Sequence, residues 1–201
     1  MSAEAIQVRS LTELDLDSIV RIGEKVNAVT RTMGVALTAC TPPPKGEPLF
    51  EIGDDEIEVG IGIHGEPGRA RQKWVPANEI VDLLLEPIVS DIPYSSGDDV
   101  ALMVNGLGGT PISELYLLYG IAHEKLAAQG ITPTRSYVGE YCTSLDMAGA
   151  SITLVKLDDE IRELLEAPAE IPIRPFWACL LYPTDAADER SSGDSGGGRC
   201  I

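Results

Sequence analysis

One of the two histidines of this 201-residue chain lies in the stretch VGIGIHGEPGRA, residues 59–70. An imidazole side chain is ordinarily largely neutral near pH 7 and can then act as a base or a nucleophile. A loop at the end of a strand is where a scaffold presents such a group. Flanking glycines leave room beside the ring, Pro67 stiffens the turn, and Glu66 is close enough in sequence to orient the imidazole. We therefore take His64 as the first candidate for chemistry, with a solvated loop histidine as the alternative.

A second glycine-rich loop, NGLGGT (residues 105–110), joins an apolar strand to a helix. Gly108 and Gly109 let the backbone approach a ligand, and the free N–H groups of a first helical turn can bind an anion or a hydroxyl. A tight strand-to-helix turn explains the same residues equally well. The lysine of a phosphate-binding P-loop is missing, which excludes that kind of nucleotide site.

Other patterns are better explained without chemistry. A G-x-G-x-x-G pattern at residues 60–65 is not followed directly by a helix, as a dinucleotide site requires. GDSGG, at residues 193–197, resembles a serine-protease segment but lies in a tail without core-forming residues, whereas a catalytic triad needs a rigid site. The acidic pairs at 54–55 and 158–159 fit a turn and a helix N-terminus as well as a metal site. His123 is interpreted as a structural or partly exposed helix residue.

Composition excludes several classes of partner. The formal net charge of −17 disfavours nucleic acid and anionic membrane surfaces and favours a small neutral ligand or a basic protein face. No apolar run is long enough to span a membrane, and the first residues lack the pattern of a secretion signal. The four cysteines are widely spaced, which argues against a disulfide framework or a structural zinc site. We therefore predict a cytoplasmic protein with reduced thiols.

Apolar periodicity predicts a mixed α/β fold. Because strands follow one another twice without an intervening helix, we expect a two-layer mixed β-sheet with helices mainly on one face. The longest helix is expected to have Thr110 as its N-cap and Gly130 just past its end. Its predicted buried stripe comprises Ile112, Leu115, Tyr116, Tyr119 and Leu126. The predicted helices cover residues 11–29, 76–90, 111–129 and 158–167, and Thr12 with Asp15 is expected to cap the first of them. The predicted strands cover residues 32–40, 56–63, 100–106, 131–139 and 151–157.

Four segments together resemble the substrate-binding, DhaK-type subunit or domain of dihydroxyacetone kinases. They are NAVTRTMGVALTACTPP, EIEVGIGIHGEPG, DDVALMVNGLGGTPISELY and RSYVGEYCTSLDMAGASITLVKLDDEIRELLEAPA, in the family's order. The resemblance covers roughly residues 10–170 and implies the second domain of the DhaK-type fold. We accordingly predict one domain over residues 1–170 and a divergent, disordered tail over residues 171–201.

The resemblance also implies a function. In the family, the histidine of the HGEPG turn adds to the ketone carbon of dihydroxyacetone and forms a hemiaminal, and His64 matches that position. Gly65, Glu66, Gly108 and Gly109 are then expected to contact the substrate. No metal or cofactor is expected on this chain, because ATP with magnesium, or ADP, is expected on a partner phosphoryl-donor subunit of the DhaL type. A homodimer is a further expectation.

The resemblance has a gap. The family's N-terminal half, with a GHEP loop and a catalytic Asp and Lys, has no counterpart in this sequence, so we expect a kinase that is incomplete as an isolated chain. We also expect an exposed apolar surface where that half would pack. The alternatives are a non-catalytic dihydroxyacetone-binding sensor that controls a transcription factor, and a truncated remnant without function.

Overall fold

A computed structural model describes residues 15–64 and 66–167. Residues Leu14–Arg162 form one compact unit, which contains all the strands of the described part. The second unit, Met1–Glu13 with Glu163–Ile201, is described only at residues 163–167. The tail that we predict from residue 171 onward lies outside the described residues, and the domain boundary at residue 170 stays a prediction.

Helices and strands alternate imperfectly through the described residues, with three places where one strand follows another directly. The helices are α1 (Leu16–Ala28), α2 (Ala77–Asp91), α3 (Ile112–Ala128) and α4 (Asp159–Glu166). The strands are β1 (Thr30–Ala36), β2 (Glu56–Val59), β3 (Ala70–Lys73), β4 (Asp99–Gly106), β5 (Thr132–Gly139) and β6 (Gly149–Lys156).

The strands form one mixed sheet with the order β3-β2-β1-β6-β4-β5. Only β4 and β5 pair in parallel, and helix α3 makes the crossover between them. The other neighbours pair antiparallel. This arrangement confirms the mixed α/β fold, because a parallel pair needs a crossover whereas antiparallel neighbours do not.

The main core lies between one face of this sheet and helices α2 and α3. In β4, Val100, Leu102 and Val104 alternate onto that face and are fully buried. Leu84 of α2 and Leu126 of α3 complete the same core. The intervening strand residues point to the opposite face.

Three strand predictions need correction. The strand expected over residues 56–63 ends at Val59, because Gly60 has a positive φ of 80° and turns the chain out of the extended conformation. The strand expected over residues 32–40 begins at Thr30 and ends at Ala36. Strand β3 was not predicted at all, since its sequence, ARQK, is polar and mostly exposed at the sheet edge.

The start of helix α3 also differs from the prediction. Pro111, not Thr110, is the N-cap residue. The Thr110 hydroxyl instead donates to Gly149 O at 2.7 Å and accepts from Gly149 N at 2.8 Å. The start of α3 has no side-chain cap hydrogen bond, since the Thr110 hydroxyl binds the backbone of β6 instead.

The buried stripe of α3 is rotated from the predicted one. Ile112 and Tyr116 are exposed, whereas Leu118 and Ala122 are buried. Both stripes fit helical spacing, and packing against the sheet selects between them. The buried residues of α3 are Leu115, Leu118, Ala122 and Leu126.

Helices α2 and α4 begin and end within one residue of their predicted bounds, whereas the helix expected over residues 11–29 runs from Leu16 to Ala28. Asp15 caps α1 by accepting from Ser18 N at 2.8 Å, while Thr12 lies outside the described residues. Helix α2 has Pro76 at its N-cap and continues past Pro87 to Asp91.

Candidate functional site

His64 lies in the loop of a β-hairpin. Strands β2 and β3 pair with Val59 opposite Ala70, and Arg69 N donates to Val59 O at 2.7 Å. Gly60 N donates to Gly34 O at 2.7 Å, which ties the departing chain to β1. The ten residues 60–69 therefore form a loop whose two ends are fixed by the sheet, with His64 in the middle.

Glu66 organises the turn around His64. One carboxylate oxygen, Oε2, accepts from His64 N at 2.9 Å, and the other, Oε1, lies 3.3 Å from His64 Nδ1. Gly62 N donates to Glu66 O at 3.3 Å, and a side chain at Gly62 would collide with the Glu66 carboxylate. The sequence-based expectation that Glu66 orients the imidazole therefore agrees with these contacts. Gly65 lies outside the described residues.

These contacts define which ring nitrogen is available. Backbone N–H groups of Glu66 itself and of His64 lower the pKa of the Glu66 carboxyl, which is therefore an anion and an acceptor at neutral pH. The neutral imidazole tautomer that suits this acceptor carries its proton on Nδ1. Nε2 then has a free lone pair, and the His64 side chain is 81% exposed. The arrangement suits a nucleophile directed away from the turn.

A buried carboxylate fixes the second half of the loop. Glu58 is buried, and its Oε2 accepts from Arg71 Nε at 2.7 Å. Its other oxygen accepts from Gly68 N at 3.1 Å. Sequence reasoning missed this pair. The sequence does contain a signal, because Glu58 stands between the two apolar residues of the strand sequence EIEV. Its partner Arg71, however, lies 13 positions away across the hairpin.

A small apolar cluster joins the two glycine-rich loops. We call it the inter-loop cluster; Ile61 comes from the His64 loop and Leu107 from the NGLGGT loop, and Ile63 packs against it. Ala36 follows Val35 of the main core in β1, so its side chain points to the sheet face opposite α2 and α3. The two loops that the sequence singled out are thus held together. The cluster consists of Ala36, Cys40, Ile61, Leu107 and Met147.

The glycines of the NGLGGT loop pack tightly against another part of the chain. Gly108 has a positive φ of 116°, and an added Cβ would lie 1.9 Å from Leu145 O. Gly109 N donates to Met147 O at 2.9 Å, and an added Cβ would lie 2.7 Å from Asp146 O. Close backbone packing thus accounts for both glycines. Their role as substrate contacts stays a prediction.

Asn105 fixes the loop against which those glycines pack. Its Oδ1 accepts from the backbone N–H groups of Tyr141 and Cys142, both at 2.8 Å. Its Nδ2 donates to Cys142 O at 2.9 Å and to Ser151 Oγ at 3.2 Å. The buried Asn105 side chain thus connects β4 to the loop after β5 and to β6 through four hydrogen bonds. Sequence reasoning missed it because Cys142 lies 37 residues away.

The remaining sequence candidates lie elsewhere. His123 is exposed on α3, with its ring centroid 6.0 Å from that of Tyr119. Asp55 pairs with Lys73 at 3.2 Å. Asp158 caps α4 by accepting from Ile161 N at 2.9 Å, as its helix-N-terminus interpretation predicts. The GDSGG stretch lies outside the described residues.

Two kinds of feature are absent from the part of the chain that the structure describes. Nowhere in residues 15–64 and 66–167 do three or more His, Cys, Asp or Glu side chains form a group able to hold a metal ion. Among the helices of that same part of the chain, none has the length and apolarity needed to cross a membrane.

Comparison with known proteins gives a consistent result. The family described as the Dak1 domain matches residues 7–173. The chain is 48% identical over 145 residues to the dihydroxyacetone-binding subunit DhaK of PTS-dependent dihydroxyacetone kinase 1 from Listeria innocua, covering 72% of the chain and 44% of that subunit. It is 44% identical over 162 residues to L-erythrulose 1-kinase of Mycolicibacterium smegmatis, covering 79% of the chain and 28% of that kinase.

A solved structure is also similar. The dihydroxyacetone kinase operon co-activator Dha-DhaQ matches with a TM-score of 0.71 and 31% identity, over 76% of this chain and 48% of that one. The chain therefore spans less than half the length of each of these relatives.

Proposed function

Because this chain belongs to the Dak1 domain family, we propose that it is the substrate-binding part of a dihydroxyacetone kinase and that His64 holds the ketone covalently. The observation that supports this most directly is the contact between His64 Nδ1 and Glu66 Oε1, which leaves Nε2 as the nucleophile. The names of the relatives support a short ketose as substrate, either dihydroxyacetone or erythrulose.

The proposed step is a reversible addition. The Nε2 lone pair of His64 attacks the ketone carbon, a C–N bond forms, and the C=O π electrons move to oxygen. The ring gains positive charge, which the adjacent Glu66 carboxylate stabilises. As the ring loses its Nδ1 proton and the alkoxide gains one, the product is a neutral hemiaminal. Glycerol lacks a carbonyl group, so this chemistry selects ketoses against it.

Phosphoryl transfer requires groups beyond His64. We propose that residues equivalent to the remainder of the longer relatives supply the acid–base chemistry, and that a DhaL-type donor subunit brings ATP with magnesium, or ADP. The high exposure of His64 supports this, because an adduct in open solvent is weakly held and needs a covering surface. The same proposal includes substrate contacts from Gly65, Gly108 and Gly109. It also includes a homodimer and a cytoplasmic location.

The first test is carbon-13 NMR of the purified chain with dihydroxyacetone labelled at its carbonyl carbon. We expect a new signal from a tetrahedral carbon bound to the protein, absent in His64→Ala. His123→Ala is the matched control, because it removes the other histidine of the chain, and it should retain the signal. If the wild-type chain gives no such signal even with the rest of a DhaK subunit added, the covalent proposal is wrong.

A second candidate function is a ligand sensor. The similarity to the co-activator Dha-DhaQ favours it, since that protein shares the fold and is named as a regulator. The discriminating assay adds a DhaL-type subunit, ATP and magnesium to the chain and measures dihydroxyacetone phosphate. Product formation that requires His64 supports the kinase, whereas adduct formation without product, together with binding to a transcription factor, supports the sensor.

A further inference from the structure

Two adjoining hollows lie beside the end of the sheet where β1 finishes and β6 begins. The larger is an open groove of about 920 Å³, lined by residues of the segment 37–54 and by Arg71 and Trp74. The smaller is a pocket of about 400 Å³ between the first turns of α2 and α3. Leu37 and Trp74 line both, so the two hollows form one continuous surface, which we call the composite groove.

The surface of the composite groove is largely apolar and open to solvent. Phe50 and Ile52 line the larger hollow, and Ile80 and Leu117 line the pocket. Trp74, which separates the two hollows, is 51% exposed, and Leu117 is 55% exposed. An exposed apolar surface of this kind around a concave site typically marks an interaction surface.

The groove also carries carboxylates for which no ion pair is found within the described residues, whereas Arg71 of the larger hollow is paired with Glu58. Glu51 and Asp54 lie along the larger hollow and Glu114 in the pocket, and within the described residues none of them has an ion-pair partner. Two nearby glutamates do have partners. Glu58 forms an ion pair with Arg71, and Glu56 accepts a hydrogen bond from Gly53 N at 3.0 Å. The unpaired carboxylates attract a cationic partner, and the net charge of −17 adds to this attraction.

We propose that the composite groove binds a short basic and apolar segment of a partner protein. An apolar side chain of that segment fills the pocket against Leu117, flanking Arg or Lys side chains face Glu114 and Glu51, and a guanidinium stacks on the Trp74 indole. A second copy of this chain is a poorer occupant, because two surfaces of the same negative charge repel each other. The proposal does not depend on His64 or on ketose binding.

The test uses three synthetic peptides and the full chain. The first peptide is acetyl-Arg-Leu-Arg-Phe-Arg-Leu-amide, the second has Ser in place of its apolar residues, and the third has Glu in place of Arg. Binding is measured by calorimetry and by NMR of the Trp74 indole N–H, identified with Trp74→Phe because the chain has only two tryptophans. We expect saturable binding of the first peptide alone, weakened by added salt.

Paired double variants test the location. Glu114→Gln/Leu117→Ser removes one carboxylate and one apolar contact from the pocket, and we expect about a tenfold rise in Kd. Glu124→Gln/Leu16→Ser makes the same chemical changes at exposed residues outside the groove and should leave the Kd unchanged. Circular dichroism of all variants checks that they fold.

Several outcomes overturn the proposal. Equal loss of binding in both double variants means non-specific attraction to an acidic protein. Absence of saturable binding of the first peptide up to about 1 mM also contradicts it. If sedimentation shows that the free chain self-associates and that Leu117→Ser makes it monomeric, the occupant is a second copy. Adduct formation at His64 in the carbon-13 NMR test is unaffected by any of these results.

Discussion

His64 and Glu66 form a unit in which one carboxylate makes two contacts with the same residue. Glu66 Oε2 holds the His64 backbone N–H, and Oε1 faces the ring nitrogen Nδ1. The first contact fixes the turn, and the second favours the tautomer with its proton on Nδ1. This explains how a highly exposed histidine is presented in a defined orientation.

The role of Glu66 can be tested with Glu66→Gln. The amide keeps the size of the side chain but loses the negative charge that stabilises the ring as it adds to the ketone. We expect the dissociation constant of the dihydroxyacetone adduct to rise about tenfold, measured by titration with the labelled ketone.

The matched control for that measurement is Glu124→Gln, an exposed acid on α3. It should leave the adduct unchanged. If Glu66→Gln also leaves the adduct unchanged, Glu66 only shapes the turn and does not assist the addition.

At the scale of elements, the sheet sets the positions of the loops. Strand β4 leads into the NGLGGT loop, β2 leads into the His64 loop, and the inter-loop cluster packs Ile61 against Leu107. The loop that follows β5 is fastened by Asn105 and in turn carries Met147 into the same cluster. Loop geometry at the site therefore depends on contacts between several strands.

Asn105→Ala tests this dependence. The substitution removes the acceptor of two backbone N–H groups at a buried position, and we expect the free energy of unfolding to fall by about 3 kcal/mol in urea denaturation. Asn27→Ala, at an exposed position of α1, should change it by no more than about 0.5 kcal/mol. Similar small effects of both substitutions would show that the 140–147 loop is held by other contacts.

Ion pairs join distant parts of this acidic molecule. Glu160 of α4 accepts from Arg21 Nη2 and Lys25 Nζ of α1, both at 2.6 Å. These hydrogen bonds lower the pKa of the Glu160 carboxyl from 4.5 to about 2. Asp98, beside Lys156, also has a lowered pKa. Part of the stability of the molecule should therefore be lost in acid.

Glu160→Gln should reveal that part. The carboxyl titrates at a lower pH when folded, so its contribution is fully present above about pH 4.5 and disappears as the pH falls to about 2. The stability difference between wild type and Glu160→Gln, from urea denaturation, should shrink over this range.

Glu24→Gln provides the comparison, because Glu24 is exposed on α1 and no ion pair is found for it within the described residues. It should show little change over the same range. A wild-type-to-Glu160→Gln difference that is constant from neutral pH to pH 2 would contradict the assignment.

The sequence by itself determined much of this protein. Apolar spacing located the helices and most strands, and the four segments that resemble DhaK-type domains indicated the family. His64 and its link to Glu66 were also accessible, because the two residues are only two positions apart and form a local turn. Local geometry and periodicity are properties of short stretches, so short stretches can reveal them.

The tertiary structure decided the rest. It selected Leu118 and Ala122 over Ile112 and Tyr116 as the buried stripe of α3, because both stripes fit a helix and only the sheet distinguishes them. It moved Thr110 from the predicted cap to a bridge with Gly149, 39 residues away. Contacts between residues so far apart depend on strand order and register, which periodicity does not encode.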